Sequence, residues 1–297
     1  MVTTFELTSG GHALDLSSEA WGELRSSADI ADNGPALRQR MREDGYLYVP
    51  GYLSRDQVLK AREVVTDRLA VEGMLDAAYP SFEAVANPDK ACTFKPELAM
   101  QNAALKEVLY SGRMMEFYTL FLGGSVRHFD YTWFRAVSPG KGTSPHCDIV
   151  YMSRGTPNLY TAWVPVGDTS LQLGGLMILE RSHLQADRFR NYLNRDVDTY
   201  CSNRDDAKAS HWSGTLSNNP VTLREKFQTR WLTAEFKAGD LLTFGMETIH
   251  ASLDNHSNSI RLSSDSRYQL ASESVDERWV GENPIGHSAA GKRGRIC

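Results

Sequence analysis

The feature that most constrains the fold is a change of texture at Val126. From there to Leu270 the chain breaks into short runs rich in Val, Thr, Tyr and Trp, interrupted by Gly and Pro: 126–137, 147–152, 159–166, 175–179, 233–236, 241–249 and 260–270. Runs of that length and composition read as strands, and many of them in succession build a sandwich or jelly roll. Upstream the texture is helical. Asn33 to Asp44 carries good helix formers, and Ser54 with Gln57 is a capping-box start for a second helix that Gly73 can stop. Val58, Ala61, Val64, Val65 and Leu69 recur at helical spacing, which gives that helix a packing face. Asn102 to Leu122 predicts one further helix, ended by Gly123-Gly124.

Within the strand region, His146-Cys147-Asp148 places an imidazole and a carboxylate at i and i+2, which on a strand share one face while Cys147 points away. His250 closes the apolar run that begins at Leu241. Two histidines and one carboxylate are the ligand types of the facial triad that holds non-haem Fe(II) with open coordination positions. Asp254-Asn255-His256-Ser257-Asn258 is a dense turn signal, so a hairpin reversing at Asn255-His256 would set Arg261 directly opposite His250. A guanidinium there suits the carboxylate of a co-substrate. His128-Phe129-Asp130 repeats the His-x-Asp spacing, but it sits in a run of bulky residues, whereas His146 and Asp148 follow the Gly- and Pro-rich loop 139–145. The second pair is preferred. His183 reads as structural, and His211, His256 and His287 as solvent-exposed. Ligand type does not fix the metal, so two alternatives stand beside an oxygenase: a cupin-like isomerase or hydrolase with Zn(II) or Mn(II), and a catalytically silent small-molecule-binding protein.

His-x-Asp, the distal His250, an Arg eleven positions beyond it, Trp163-Val164-Pro165-Val166-Gly167-Asp168 and Gly174-Gly175-Leu176-Met177-Ile178-Leu179-Glu180-Arg181-Ser182-His183 together resemble the phytanoyl-CoA dioxygenase family. The likeness spans about Phe129 to Leu270, with a weaker echo at 45–53. It implies a double-stranded β-helix, the jelly-roll core of the cupin-like folds, mainly β with flanking α-helices. It also implies an oxygenase that uses Fe(II), 2-oxoglutarate and O2, with His146, Asp148 and His250 on the metal and Arg261 and Ser252 on the far carboxylate of 2-oxoglutarate. Trp163 matches a residue near the co-substrate, although a core tryptophan fits the same strand. Halogenating relatives on this fold lack the ligand carboxylate; Asp148 is present, so hydroxylation, desaturation or cyclisation is expected. The chain departs from the family's pattern at Leu173-Gly174-Gly175 and at Glu180-Arg181-Ser182-His183, which puts local turn geometry in question.

Composition narrows the partners. The 297 residues are 41% hydrophobic, enough for a sizeable core, and one catalytic domain is expected. It would comprise a helical cover over 1–125, the β core over 126–271 with a polar insertion at 184–230, and a polar tail over 272–297 whose Gly-Lys-Arg-Gly-Arg segment is expected to be disordered. The net charge of -5, with Lys and Arg scattered, argues against nucleic acid and against the phosphates of an acyl-CoA. There is no basic start followed by an apolar stretch and no run of membrane-spanning length, so a cytoplasmic protein is expected, as monomer or homodimer. The four cysteines form no Cys-x-x-Cys pair and read as reduced thiols. Tyr131, Trp133, Phe134, Tyr151 and Tyr160 line a substrate pocket or fill the sandwich. A small organic substrate, in particular a natural-product intermediate, is expected.

Overall fold

The computed structural model describes residues 6–201, 212–288, 291 and 293–295. Two sheets face each other. The larger runs β4 (Tyr46–Val49), β11 (Leu241–Gly245), β7 (Tyr160–Pro165) and β13 (Arg261–Leu270), and the far edge of β13 pairs with both β6 (Trp133–Val137) and β5 (Val126–His128). The smaller runs β12 (His250–Ser252), β8 (Leu176–Leu179), β10 (Trp231–Thr233) and β3 (Trp21–Glu23). Two short pairs complete the strands: β1 (Thr8–Ser9) with β2 (His12–Ala13), and β9 (Thr199–Cys201) with β14 (Arg293–Arg295). The sheets do not close into a barrel, and the jelly-roll expectation holds.

Strand alternation decides what lies where. Tyr46, Tyr48, Trp163, Leu242 and Phe244 point inward and meet Leu176, Ile178, Leu232 and Phe236 of the opposite side. Their neighbours Leu47, Val49, Ala162, Val164 and Leu241 point outward, where helices cover them. Those helices are α1 (Gly34–Asp44), α2 (Arg55–Val71), α3 (Ala103–Tyr110) and α4 (Gly112–Leu122). Asn33 accepts from Ala36 N at 3.1 Å to start α1, and Gly45, at φ 79°, ends it. Ser54 accepts from Gln57 N at 3.4 Å, but the Gln57 side chain reaches Glu107 instead of closing the capping box. The expected single helix over 102–122 is two, because Ser111 is extended and Gly112 has φ 47°, a turn that no intact helix contains.

Five further expectations are corrected. Residues 147–152 form a 3-10 turn at Asp148–Val150, not a strand. The run 241–249 ends as a strand at Gly245, and His250 starts a new one on the other sheet. The 126–137 run is likewise two strands, and the strand expected at 233–236 lies at Trp231–Thr233. The 184–230 insertion carries α5 (Arg190–Leu193) and α6 (Pro220–Phe227), and with Phe189, Tyr192, Leu193, Leu223 and Phe227 it covers the outer face of the smaller sheet. Residues beyond 271 do not trail away: Trp279 is 1% exposed, and Arg293–Arg295, within the segment expected to be disordered, pairs with β9.

Candidate metal centre and its cavities

His146 and His250 meet as a β-bridge, each donating its backbone N–H to the other's carbonyl at 3.0 Å. The bridge stitches the loop before Asp148 to the inner edge of β12, and the 3-10 turn then swings Asp148 beneath the two imidazoles. Their side chains come together with Asp148 Oδ1 at 3.8 Å from His146 Nε2 and 3.7 Å from His250 Nε2. All three are buried. The shared face thus arises from a bridge plus a tight turn, not from strand alternation. Cys147 does point away, into the core beneath the insertion, where its thiol reaches Glu247 O.

The free valences suit a metal. His146 Nδ1 is hydrogen-bonded to Ser144 O at 2.8 Å and His250 Nδ1 to Thr248 O at 3.1 Å, so both Nδ1 atoms carry protons and both Nε2 lone pairs converge on one point. Asp148 Oδ2 is taken by Thr161 Oγ1 and by Arg267 at 3.0 Å, which leaves Oδ1 free. Among the described residues this is the one cluster of three or more His, Cys, Asp or Glu whose donor atoms gather in this way. Burial would raise the Asp148 carboxyl, but Arg267 and the two imidazoles outweigh it and hold the group well below the usual carboxylate range. Burial, then the neighbouring His250, pushes the His146 imidazole down to about 3, and burial lowers His250 as well. The trio is therefore an ionised carboxylate with two neutral imidazoles at neutral pH, the protonation state a divalent cation requires.

That state has a consequence for stability. An unfolded histidine takes up a proton near pH 6.5, while His146 and His250 in the fold resist it, so acid favours the unfolded chain. The metal-free protein is expected to lose stability as pH falls from about 6.5 toward 4, measured by urea denaturation at a series of pH values. His146→Asn should flatten that slope; an unchanged slope would mean that His146 titrates normally in the fold.

Arg261 is not opposite His250. It pairs across β13 with Val137 of β6, while His250 pairs with Ile178 of β8, so the two lie on different sheets. The hairpin expectation counted residues about one turn, but the chain crosses from one sheet to the other through it. Both side chains nevertheless face inward and line one narrow cleft, together with Trp163, Ser252 and Thr143. Arg261 is 1% exposed, its Nη1 reaches Ser263 Oγ at 2.7 Å, and its Nε has no partner. Burial and repulsion by Arg135 weaken its hold on the proton, to about 10, so it remains a buried cation short of a counter-ion. Ser252 Oγ accepts from Thr143 N at 2.8 Å, and Trp163 packs on Phe236 with ring centres 4.7 Å apart. Trp163 is thus both core residue and cleft wall.

On the other side of the trio opens a cavity of about 350 Å³, walled by Phe94, Trp133, Tyr151, Met152, Arg267 and His287 among others. Arg135, tied to Asp265 at 2.9 Å, stands between cleft and cavity. Of the five aromatics, Trp133 and Tyr151 face the cavity, Tyr131 meets Trp133 edge-on, and Phe134 and Tyr160 belong to the helix side. His128 and Asp130 lie elsewhere: His128 stacks on Tyr110 at 4.2 Å and bonds Phe129 O, and Asp130 accepts from Gly281 N. His183 is structural, bonded to Arg42 O and seated against Gly45, where a Cβ would meet its ring at 2.3 Å. His256 is exposed but lies 2.7 Å from Thr8 Oγ1, and His211 falls outside the described residues. His287 is exposed as expected, with its side chain 37% accessible, but it is also bonded to Asp198 and lines the cavity.

Sequence reading passed over Arg135, Arg267, Thr161 and His287. A signal existed for Arg267: on β13 every second residue from Arg261 to Gln269 is polar and buried, as are the intervening Ser264 and Ser266, and Arg267 shares the inward face with Arg261.

Comparison with known proteins decides the class. The profile described as Phytanoyl-CoA dioxygenase (PhyH) matches residues 41–263. The chain belongs to the phytanoyl-CoA dioxygenase family. It is therefore an Fe(II)- and 2-oxoglutarate-dependent oxygenase, and the non-redox and silent alternatives give way. A 1-deoxypentalenic acid 11-beta-hydroxylase of Streptomyces exfoliatus is 28% identical over 265 residues, 82% of this chain and 83% of that protein. In fold the chain is similar to the carbocyclase SnoK from nogalamycin biosynthesis, with TM-score 0.59 and 17% identity over 86% of this chain and 89% of the other. It is also similar to EctD from S. alaskensis, with TM-score 0.57 and 16% identity over 98% of each. Among the described residues no helix is long and apolar enough to cross a membrane.

Proposed function

We propose that the chain hydroxylates a small, largely apolar cyclic molecule of natural-product type, with His146, Asp148 and His250 holding Fe(II), and Arg261 and Ser252 receiving the far carboxylate of 2-oxoglutarate in the cleft beside Trp163. One observation carries this reading: three free donor atoms converge at the junction between a cleft that ends in a buried guanidinium whose Nε has no partner and a wider cavity that Trp133, Tyr151 and Phe94 help to wall. Two compartments meeting at one metal position suit a co-substrate and a substrate that must reach the same centre without displacing each other. Iron with 2-oxoglutarate and O2 supplies the oxidising power for attack on a C–H bond. The chain's own work is positional. The backbone carbonyls of Ser144 and Thr248 fix both imidazole tautomers, Arg267 and Thr161 fix the carboxylate rotamer, and the buried Trp133 and Met152 exclude water from the reacting carbon. Arg267 also lies over the Trp133 ring at 4.6 Å, which ties the cavity wall to the ligand carboxylate. The likeness to a 1-deoxypentalenic acid 11-beta-hydroxylase supports hydroxylation of a small organic molecule and makes 1-deoxypentalenic acid the natural first probe.

The reaction type is tested with a panel of cyclic terpenoid acids and polyketides under labelled dioxygen, with chloride present, followed by mass spectrometry. Product heavier by one labelled oxygen is expected. Chlorinated product would remove Asp148 from the metal, and unlabelled product lighter by two hydrogens would replace hydroxylation by desaturation or ring closure.

A further inference from the structure

At the end of the cavity away from the cleft, a second constellation is built from parts distant in sequence. His287 Nδ1 donates to Asp198 Oδ2 at 2.7 Å. Asp198 is 3% exposed and is itself held by Arg278. Arg278, also buried, donates to Asp276 and to Tyr151 O at 2.9 Å, so the insertion, the C-terminal segment and the turn that carries Asp148 are clamped at one point. The imidazole is further wedged edge-on between Trp279, with ring centres 4.7 Å apart, and Tyr151, at 5.9 Å. The ring is fixed in this way although its side chain stays 37% exposed. With Nδ1 committed to a carboxylate, the tautomer is fixed, and Nε2 is left as an acceptor with no hydrogen-bond partner among the described residues, in a wall of the cavity.

Resting on the reading of this cavity as the substrate compartment, we propose that His287, oriented by Asp198, is the specificity-determining residue that accepts a hydrogen bond from a hydroxyl group of the substrate. The Tyr151 ring separates His287 from His146, at 5.9 Å from one and 5.7 Å from the other, so the anchored hydroxyl is remote from the carbon that reacts. Elsewhere in the lining, Trp133, Phe94 and Met152 offer ring and sulfur faces beside the polar Thr93, Ser213 and Thr215. The ligand class that fits is a fused-ring alcohol or phenol, held by its hydroxyl at one end and presented to the metal at the other. The His287 side chain is 37% exposed, so the gain is that of a partly solvated hydrogen bond: a hydroxyl that donates to Nε2 binds more tightly than an ether that has no donor to offer.

The test uses the full chain with Fe(II) and 2-oxoglutarate under anaerobic conditions and two probes, 2-naphthol and its methyl ether, which differ in the O–H donor. Equilibrium dialysis should show the wild type preferring 2-naphthol by about threefold. His287→Ala and His287→Phe should remove the preference, and Asp198→Asn should weaken it, with melting curves confirming that each variant is folded. Phe94→Ala should weaken both probes equally, which places them in the cavity. A preference that survives in both His287 variants, or its absence in the wild type, overturns the proposal. Iron-dependent succinate release is measured separately. If it fails while the naphthol preference depends on His287, the assignment of the metal centre falls and the recognition site stands.

Discussion

His146→Ala, His250→Ala and Asp148→Asn are each expected to reduce iron-dependent turnover to background while the protein stays folded. The three donor atoms sit at an open junction of two cavities, so removing one leaves the surrounding sheets intact but takes away a third of the protein's contribution to the coordination sphere. Asn is the informative replacement at 148, and Ala is not. Asp148→Ala would strand Arg267, which is 2% exposed and lies 3.0 Å from the carboxylate, and breaking such a pair from one side costs roughly 3–5 kcal/mol of stability. A dead Ala variant would then report unfolding as readily as lost metal. His128→Ala is the control, since His128 stacks on Tyr110 and lies outside the cluster. Iron content after anaerobic loading, read beside turnover, checks the result; loss of iron in His128→Ala with retention in His146→Ala would show that the other His-x-Asp pair is the centre.

Arg261→Leu should act in opposite directions on co-substrate and on the empty protein. The 2-oxoglutarate requirement is expected to rise by the equivalent of roughly 2–5 kcal/mol, because a desolvated carboxylate would lose its charged partner. That is about thirtyfold or more in concentration. The ligand-free variant, in contrast, should melt at a higher temperature than the wild type, because the guanidinium is 1% exposed, repelled by Arg135 and left with an unpaired Nε. Arg261→Lys should recover part of the binding, as a point charge in place of a planar fork. Dependence of succinate formation on 2-oxoglutarate concentration and thermal melts of the metal-free proteins check both halves. An unchanged 2-oxoglutarate requirement in the Leu variant would remove Arg261 from the co-substrate site. A lower melting temperature would mean that the guanidinium is satisfied before 2-oxoglutarate arrives.

The sequence by itself determined the chemistry. His146, Asp148 and His250 stand out because their side-chain types bind iron whatever backbone carries them, and the Gly-rich approach and the apolar run mark two of them as belonging to loop and strand ends. Helix starts at Asn33, Ser54 and Asn102 were equally legible, since capping is settled within four residues. The tertiary structure decided how the parts meet. Counting residues about Asn255-His256 set Arg261 opposite His250, but the chain changes sheets there, and the two meet across the sandwich because both face inward from different layers. Register within a hairpin is local; the choice of sheet is fixed by which faces the helices and the insertion bury, and that depends on the whole core. His287 shows the same limit from the other side. Its polar surroundings in sequence rightly mark it as exposed, but they do not show that it is also a cavity wall, which follows because Arg278 ties residues 198, 276 and 151 into one cluster beside it.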